Sequence, residues 1–180
     1  MSGAPVVYFS STKSKMGAIQ MKYGILADIH ANLEALEAVL QDAKAQSVTH
    51  YAFLGDFVGY CADPRKCVEI VRAMNAPCVK GNHDQYCASD FPLEGFSPAA
   101  IKIVEWTRKQ LTETARQWLF GLPYVEAVED FTIVHATLSM PEKWQYVFDR
   151  LAAAASFPSK KPNSVSSATR ICRLHSLGTK

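Results

Sequence analysis

Residues 51–56 read Tyr51-Ala-Phe-Leu-Gly-Asp56, a short apolar run that stops at a glycine and a carboxylate. A run of this length bounded by a turn residue has the pattern of a buried strand. The arrangement recurs on both sides. Upstream, Tyr23-Gly-Ile-Leu-Ala27 leads into Asp28-Ile29-His30; downstream, Pro77-Cys-Val-Lys80 leads into Gly81-Asn82-His83-Asp84. Between the first two runs, Asn32 can cap a helix carrying Leu33, Leu36, Val39 and Leu40 on one face. Between the second and third, Asp63-Pro64 offers an N-cap followed by proline, and Val68, Val71 and Met74 form an apolar stripe. The order β-α-β-α-β with short links predicts parallel strands joined by right-handed crossovers. Ligands of such sheets bind beyond the carboxyl ends of the strands, where these polar strings fall.

Further along, Ser97-Pro98 opens a helix running through Leu111, and another follows from Thr112 and closes at Gly121-Leu-Pro123. Tyr124–Val128 and Phe131–Val134 then read as an antiparallel pair turning at Glu129-Asp130 and ending in His135. The chain has no internal repeat.

Taken singly, each polar string has a plain explanation. Asp28 and His30 share one side of a strand end, which suits a turn carboxylate beside a solvated histidine. Asp56 reads as a loop residue, Asn82-His83-Asp84 as an Asx-type turn, and His135 as a packed histidine. Their joint occurrence changes the odds: each string follows a strand, and together they use three of the five histidines in the chain.

As a set, Asp28-x-His30, Gly55-Asp56, Gly81-Asn-His-Asp84 and Val134-His-Ala136 resemble the first four motifs of the calcineurin-like metallophosphoesterases. The stretch from Gly55 to Pro64 resembles their small bacterial predicted-phosphodiesterase branch, related to diadenosine-tetraphosphatase-like proteins. The resemblance covers about Lys22 to Phe157. It implies an α/β fold in which two sheets pack face to face with helices outside. It further implies that Asp28 and His30 hold a first metal ion, that Asp56 bridges two, and that Asn82 and His135 hold the second. His83 would be the catalytic residue beside the scissile phosphate, stabilising the transition state or protonating the leaving oxygen. Two divalent cations about 3.5–4 Å apart would clamp phosphate oxygens and activate a water. Mixed Asp, His and Asn ligands suit Mn, Fe or Zn. Asp84 is open to two readings, orienting His83 or capping a turn. Relatives acting on phosphoproteins carry a second Asp and an Arg shortly after the Gly-Asp motif, where this chain has Gly59 and Tyr60. Without that Arg a bidentate clamp on phosphate is missing. A small phosphorylated substrate, a phosphodiester or nucleotide, is therefore expected rather than a phosphoprotein.

The bulk properties fit one globular domain. The 180 residues are 48% hydrophobic and 20% charged. No apolar run approaches the roughly 20 residues of a membrane span, and the first twenty residues carry no signal-peptide pattern, so a cytoplasmic protein is expected. The net charge of +2 hides a division: from Lys22 to Asp149 the chain has 11 Lys and Arg against 17 Asp and Glu, a net of −6. An acidic body argues against a nucleic-acid surface. The five cysteines include no C-x-x-C pair and read as free thiols.

The expected divisions are a disordered leader at 1–20, an incomplete phosphoesterase domain at 21–157 and an aberrant or disordered tail at 158–180. The family's fifth motif, Gly-His-x-His, adds one histidine to each metal, and no such string occurs here. If Ser166–Arg173 is encoded TCT TCG GCC ACA CGC ATA TGC CGN, reading two bases later yields Phe-Gly-His-Thr-His-Met-Pro, the expected motif in another frame. A frameshift between Pro158 and Val165 would thus remove two ligands and the domain's C-terminal strands; the plain alternative is an ordinary disordered tail. Two functions follow: a metal-dependent phosphoesterase impaired by that loss, or a non-catalytic remnant or binding scaffold of the same fold.

Overall fold

A computed structural model describes residues 6–11, 21–129, 131–147 and 165–167. In chain order the elements are β1 (Val6–Ser11), β2 (Met21–Leu26), α1 (Leu33–Ala45), β3 (His50–Phe53), α2 (Pro64–Ala73), α3 (Asn82–Ala88), α4 (Pro98–Gln110), α5 (Glu113–Gly121), β4 (Val125–Val128), β5 (Phe131–Val134), a 3₁₀ turn (Pro141–Lys143) and β6 (Val165–Ser167). They form two three-stranded sheets, β1-β2-β3 and β4-β5-β6. Strand β2 pairs antiparallel with β1 and parallel with β3; β5 pairs antiparallel with β4 and parallel with β6.

The alternation of side chains along β2 and β3 builds two cores. Tyr23, Ile25, Ala27, Ala52 and Leu54 pack with Val79, Val128, Phe131 and Ile133, joining the two sheets. The intervening Leu26 and Phe53 point the other way, into a core with Leu36, Val68, Val71, Val104 and Leu119 from the helices. The result is the α/β arrangement of two facing sheets and outer helices. Among the described residues, no helix is long and apolar enough to cross a membrane.

The helix ends follow the expected chemistry in three cases. The side chains of Asn32, Ser97 and Thr112 accept from the backbone N–H of Ala35, Ala100 and Ala115 respectively. Asp63 departs from expectation: it makes no side-chain cap bond and instead lies 3.7 Å from Lys66.

Three further expectations change. Val6–Ser11, within the leader expected to be disordered, forms β1, from Val6 opposite Leu26 to Ser11 opposite Met21. Val-Val-Tyr-Phe is rich in strand formers, and the edge of β2 offers unpaired backbone groups to such a run. Val165–Ser167, in the expected aberrant tail, likewise runs along β5. The third strand expected at Pro77–Lys80 shrinks to a single bridge, Phe53 with Cys78. Pro77 has no N–H to give, and the Cys78 N–H goes to the Glu126 carboxylate at 3.1 Å. The stretch 166–173, where the fifth motif is expected in another frame, falls mostly outside the described residues.

Candidate metal centre

The loops after β2 and β3 are bonded to each other along their length. Asp28 N donates to Gly55 O at 3.1 Å, His30 N to Asp56 O at 2.8 Å, and Ala31 N to Phe57 O at 2.9 Å. Holding them this way places Asp28, His30, Ala31, Asp56 and Tyr60 in the left-handed region, with φ between 50° and 66°. Non-glycine residues adopt it at a cost, and strain concentrated in one place marks a functional site. Gly55 and Gly81 let the β3 loop and the start of α3 touch, since a Cβ on Gly81 would strike the Asp56 side chain.

Asp84 locks this crossing. Its Oδ2 accepts from Asp56 N at 2.7 Å and Gly81 N at 2.9 Å, and its Oδ1 from Phe57 N at 2.8 Å and Val58 N at 3.3 Å. It caps a turn, as one of the two readings held, but it also fixes the backbone of Asp56. Gly81 N is a local turn contact, whereas only tertiary folding brings the N–H groups of Asp56, Phe57 and Val58 to it.

Five of the six expected site residues converge. His30 Nε2 lies 3.7 Å from both Asp28 Oδ1 and Asp56 Oδ2, and His135 Nε2 lies 3.6 Å from Asp56 Oδ2. His83 joins through its backbone N–H, which donates to Asp56 Oδ1 at 2.9 Å, and through its ring, 4.9 Å from that of His30. The potential ligand atoms fall into two groups, His30–Asp56–His83 and Asp28–Asp56–His135, each with atoms within 4.8 Å of one another. Asp56 belongs to both. Asp28 and His30, paired by the resemblance, also lie side by side, 3.7 Å apart. Asn82, the remaining residue, opens α3 between Gly81 and His83.

The donor set fits cations. His135 Nδ1 lies 2.7 Å from Leu54 O and His30 Nδ1 3.3 Å from Val58 O. A carbonyl only accepts, so each Nδ1 carries a proton and the ring is turned with Nε2 toward Asp56. His83 Nδ1 is buried with no hydrogen-bond partner. Burial and then Asp28 push the Asp56 carboxyl well above its usual range, against the bond from His83. Burial and then His30 and His135 push His83 down to about 4. Burial also lowers His30. A desolvated carboxylate facing uncharged imidazoles is stabilised by positive charge placed between them.

Aromatic residues outside the expected set frame the centre. The Tyr60 ring sits 4.7 Å from His30 and 4.6 Å from His83. Trp144 stands edge-on to His135 at 6.0 Å and packs on Tyr124, whose hydroxyl donates to Gln85. Loops converging in space make these contacts, so no spacing in the sequence announces them.

Residues 21–161 match the calcineurin-like phosphoesterase family, and the chain belongs to it. It is 35% identical over 134 residues to the uncharacterized protein MJ0912 of Methanocaldococcus jannaschii, across 72% of this chain and 55% of that protein. The crystal structure of a metallophosphoesterase from Sphaerobacter thermophilus is similar, with a TM-score of 0.70 and 39% identity over 82% of this chain and 59% of that one. The hypothetical protein PH1004 of Pyrococcus horikoshii OT3 shares the fold at a TM-score of 0.61 and 21% identity, over 73% of this chain and 62% of that one. The chain therefore spans only about three-fifths of the length of these relatives.

Proposed function

We propose that this chain carries the centre of a metal-dependent phosphoesterase acting on a small phosphodiester or nucleotide. The observation that carries the reading is the double membership of Asp56, whose carboxylate lies within 4.8 Å of the donor atoms of two groups, one with His30 and His83 and one with Asp28 and His135. Asp28, His30, Asp56, Asn82 and His135 would hold two divalent ions, with Mn, Fe or Zn suited to these donors. Bound there, the ions would neutralise phosphate oxygens and supply an activated water. The chain's own residues supply the rest. Asp84 and the paired loops hold Asp56 still. His83, uncharged at neutral pH with its pKa near 4, donates a hydrogen bond to a phosphate oxygen. Gly59, at φ 90°, leaves room for His83, since a Cβ there would lie 2.5 Å from its Nδ1 and displace the ring.

No Gly-His-x-His string occurs in the 180 residues, and on this reading the chain hydrolyses weakly. A non-catalytic scaffold of the same fold is the competing reading, favoured by that one feature. The test is hydrolysis of bis(p-nitrophenyl) phosphate with added Mn, by the chain as it stands and by one in which the Phe-Gly-His-Thr-His-Met-Pro frame and its downstream sequence are restored. Restoration should bring metal-dependent turnover. Within the restored protein, His83→Ala should cut turnover and spare metal content, whereas Asp56→Asn should lower both. A restored protein that binds two metals yet cleaves no phosphoester in a broad panel would sink the proposal in favour of the scaffold.

A further inference from the structure

Beside the metal centre lies an open cleft of about 620 Å³, between the start of α1, the loop after β3 and one face of α4. Its size falls in the range of small-molecule sites, roughly 300–1,000 Å³. Tyr60 belongs to both places: one edge meets the His30 and His83 rings, while the residue is 57% exposed and lines the cleft. Its position is enforced, because Tyr60 has a φ of 66° and follows Gly59 at 90°. On the α4 wall stands Trp106, 41% exposed although α4 buries Val104 and Thr107 on its other side. Lys102, one helical turn earlier, lines the same wall.

The polar groups narrow the ligand class. Glu34, Asp63 and Lys102 are the charged residues of the lining, and Asp63 also lies 3.7 Å from Lys66, so the lining itself offers two carboxylates against one ammonium group, a poor match for a free phosphate. Asn32 uses its carbonyl oxygen on the Ala35 N–H, leaving its amide N–H₂ to offer donors. Aromatic faces, carboxylate acceptors and a spare amide donor suit a flat, uncharged heterocycle bearing both N–H and ring-nitrogen groups. We infer that this cleft is the subsite for the nucleobase of a nucleoside phosphoester, stacked on Tyr60 and Trp106 while the attached phosphate reaches His30 and His83. The assignment rests on the phosphoesterase function proposed above and narrows its substrate to nucleotides.

Calorimetric titration of adenosine and guanosine into the metal-stripped chain probes the cleft without engaging the metal centre. At least one nucleoside should bind saturably, and ribose 5-phosphate should not. Trp106→Ala should weaken binding by about tenfold or more, the usual effect of losing one base-stacking ring. Trp106→Phe should retain most of the affinity, which separates stacking from a folding defect. Phe91→Ala, an exposed aromatic outside the cleft, should change nothing. Absence of saturable binding by both nucleosides overturns the assignment, as does an equal loss in Phe91→Ala. Turnover of bis(p-nitrophenyl) phosphate by the restored chain without nucleoside binding overturns the subsite and spares the phosphoesterase. Nucleoside binding without turnover supports the subsite and overturns the phosphoesterase.

Discussion

The loops after β2 and β3 and the start of α3 deliver Asp28, His30, Asp56 and His83 on segments bonded to one another, whereas the second sheet delivers His135 from the end of β5. On the first side, left-handed backbone, inter-loop hydrogen bonds and the Asp84 carboxylate all hold the same residues. On the second, His135 is oriented by Leu54 O, across the seam between the sheets. One half of the centre is thus built into a single sheet's loops, while the other half depends on how two sheets dock. Substitutions should therefore damage folding on the first side and metal content on the second.

The largest effect is expected at Gly81. A Cβ there would meet the Asp56 side chain and lie 2.5 Å from its backbone nitrogen, where no flexible group can yield. Gly81→Ala should cost about 4 kcal/mol or more, in the range where a domain of this size stops folding. A urea midpoint close to that of the parent chain would show that the two loops are not rigidly bonded.

Asp84 comes next. Asp84→Ala leaves four backbone N–H groups without their acceptor and should cost about 3 kcal/mol or more in urea unfolding. Asp84 also sets a pH dependence. Burial, and then Asp56, raise its carboxyl to about 7 despite the bonds from Gly81 and Asp56. Above an ordinary carboxylate pKa the unfolded chain has released this proton while the folded chain keeps it. Stability of the chelator-treated protein should therefore fall as pH rises from about 4 to about 7, and Asp84→Asn should flatten that slope. A stability that climbs across the window would contradict the sign.

On the second side, His135→Ala should leave folding nearly intact, at about 1–2 kcal/mol for one buried hydrogen bond. It should remove one donor beside Asp56 while leaving Asp28, His30 and Asp56 in place. Elemental analysis should then find one metal equivalent fewer per chain. Loss of all bound metal would mean that the two groups do not act separately.

Much of this asymmetry was legible in the sequence, and some of it could not be. Strands β2, β3 and β5 stood out because each is an apolar run ending at a polar string, and the residues that converge were visible for the same reason. Helix α1 stood out by cap and stripe and α4 and α5 by their end residues, and the caps lie where Asn32, Ser97 and Thr112 pointed. Helix α3 did not, because Asn82–Ala88 is seven residues without an apolar period and its first residues read as a turn. The bonds of Asp84 to Asp56, Phe57 and Val58, and the places of Tyr60 and Trp144, were out of reach for another reason. Their partners lie on other segments, so only tertiary folding defines them.

The smallest effect should have the opposite sign. Gly121 ends α5, its φ lies outside the left-handed region, and an added Cβ would find no atom within 4 Å. Nothing in the folded state requires glycine there, unlike at Gly55, where φ is 85° and a Cβ would meet the Gly81 backbone. Alanine at such a helical position narrows the unfolded ensemble without straining the folded one, a gain of about 0.4–1 kcal/mol. Gly121→Ala should raise the urea midpoint slightly and leave metal content unchanged, while Gly55→Ala should lower the midpoint sharply. If both substitutions destabilise alike, the glycines of the centre are no more constrained than one at a helix end, and the contrast between a locked first sheet and a free periphery fails.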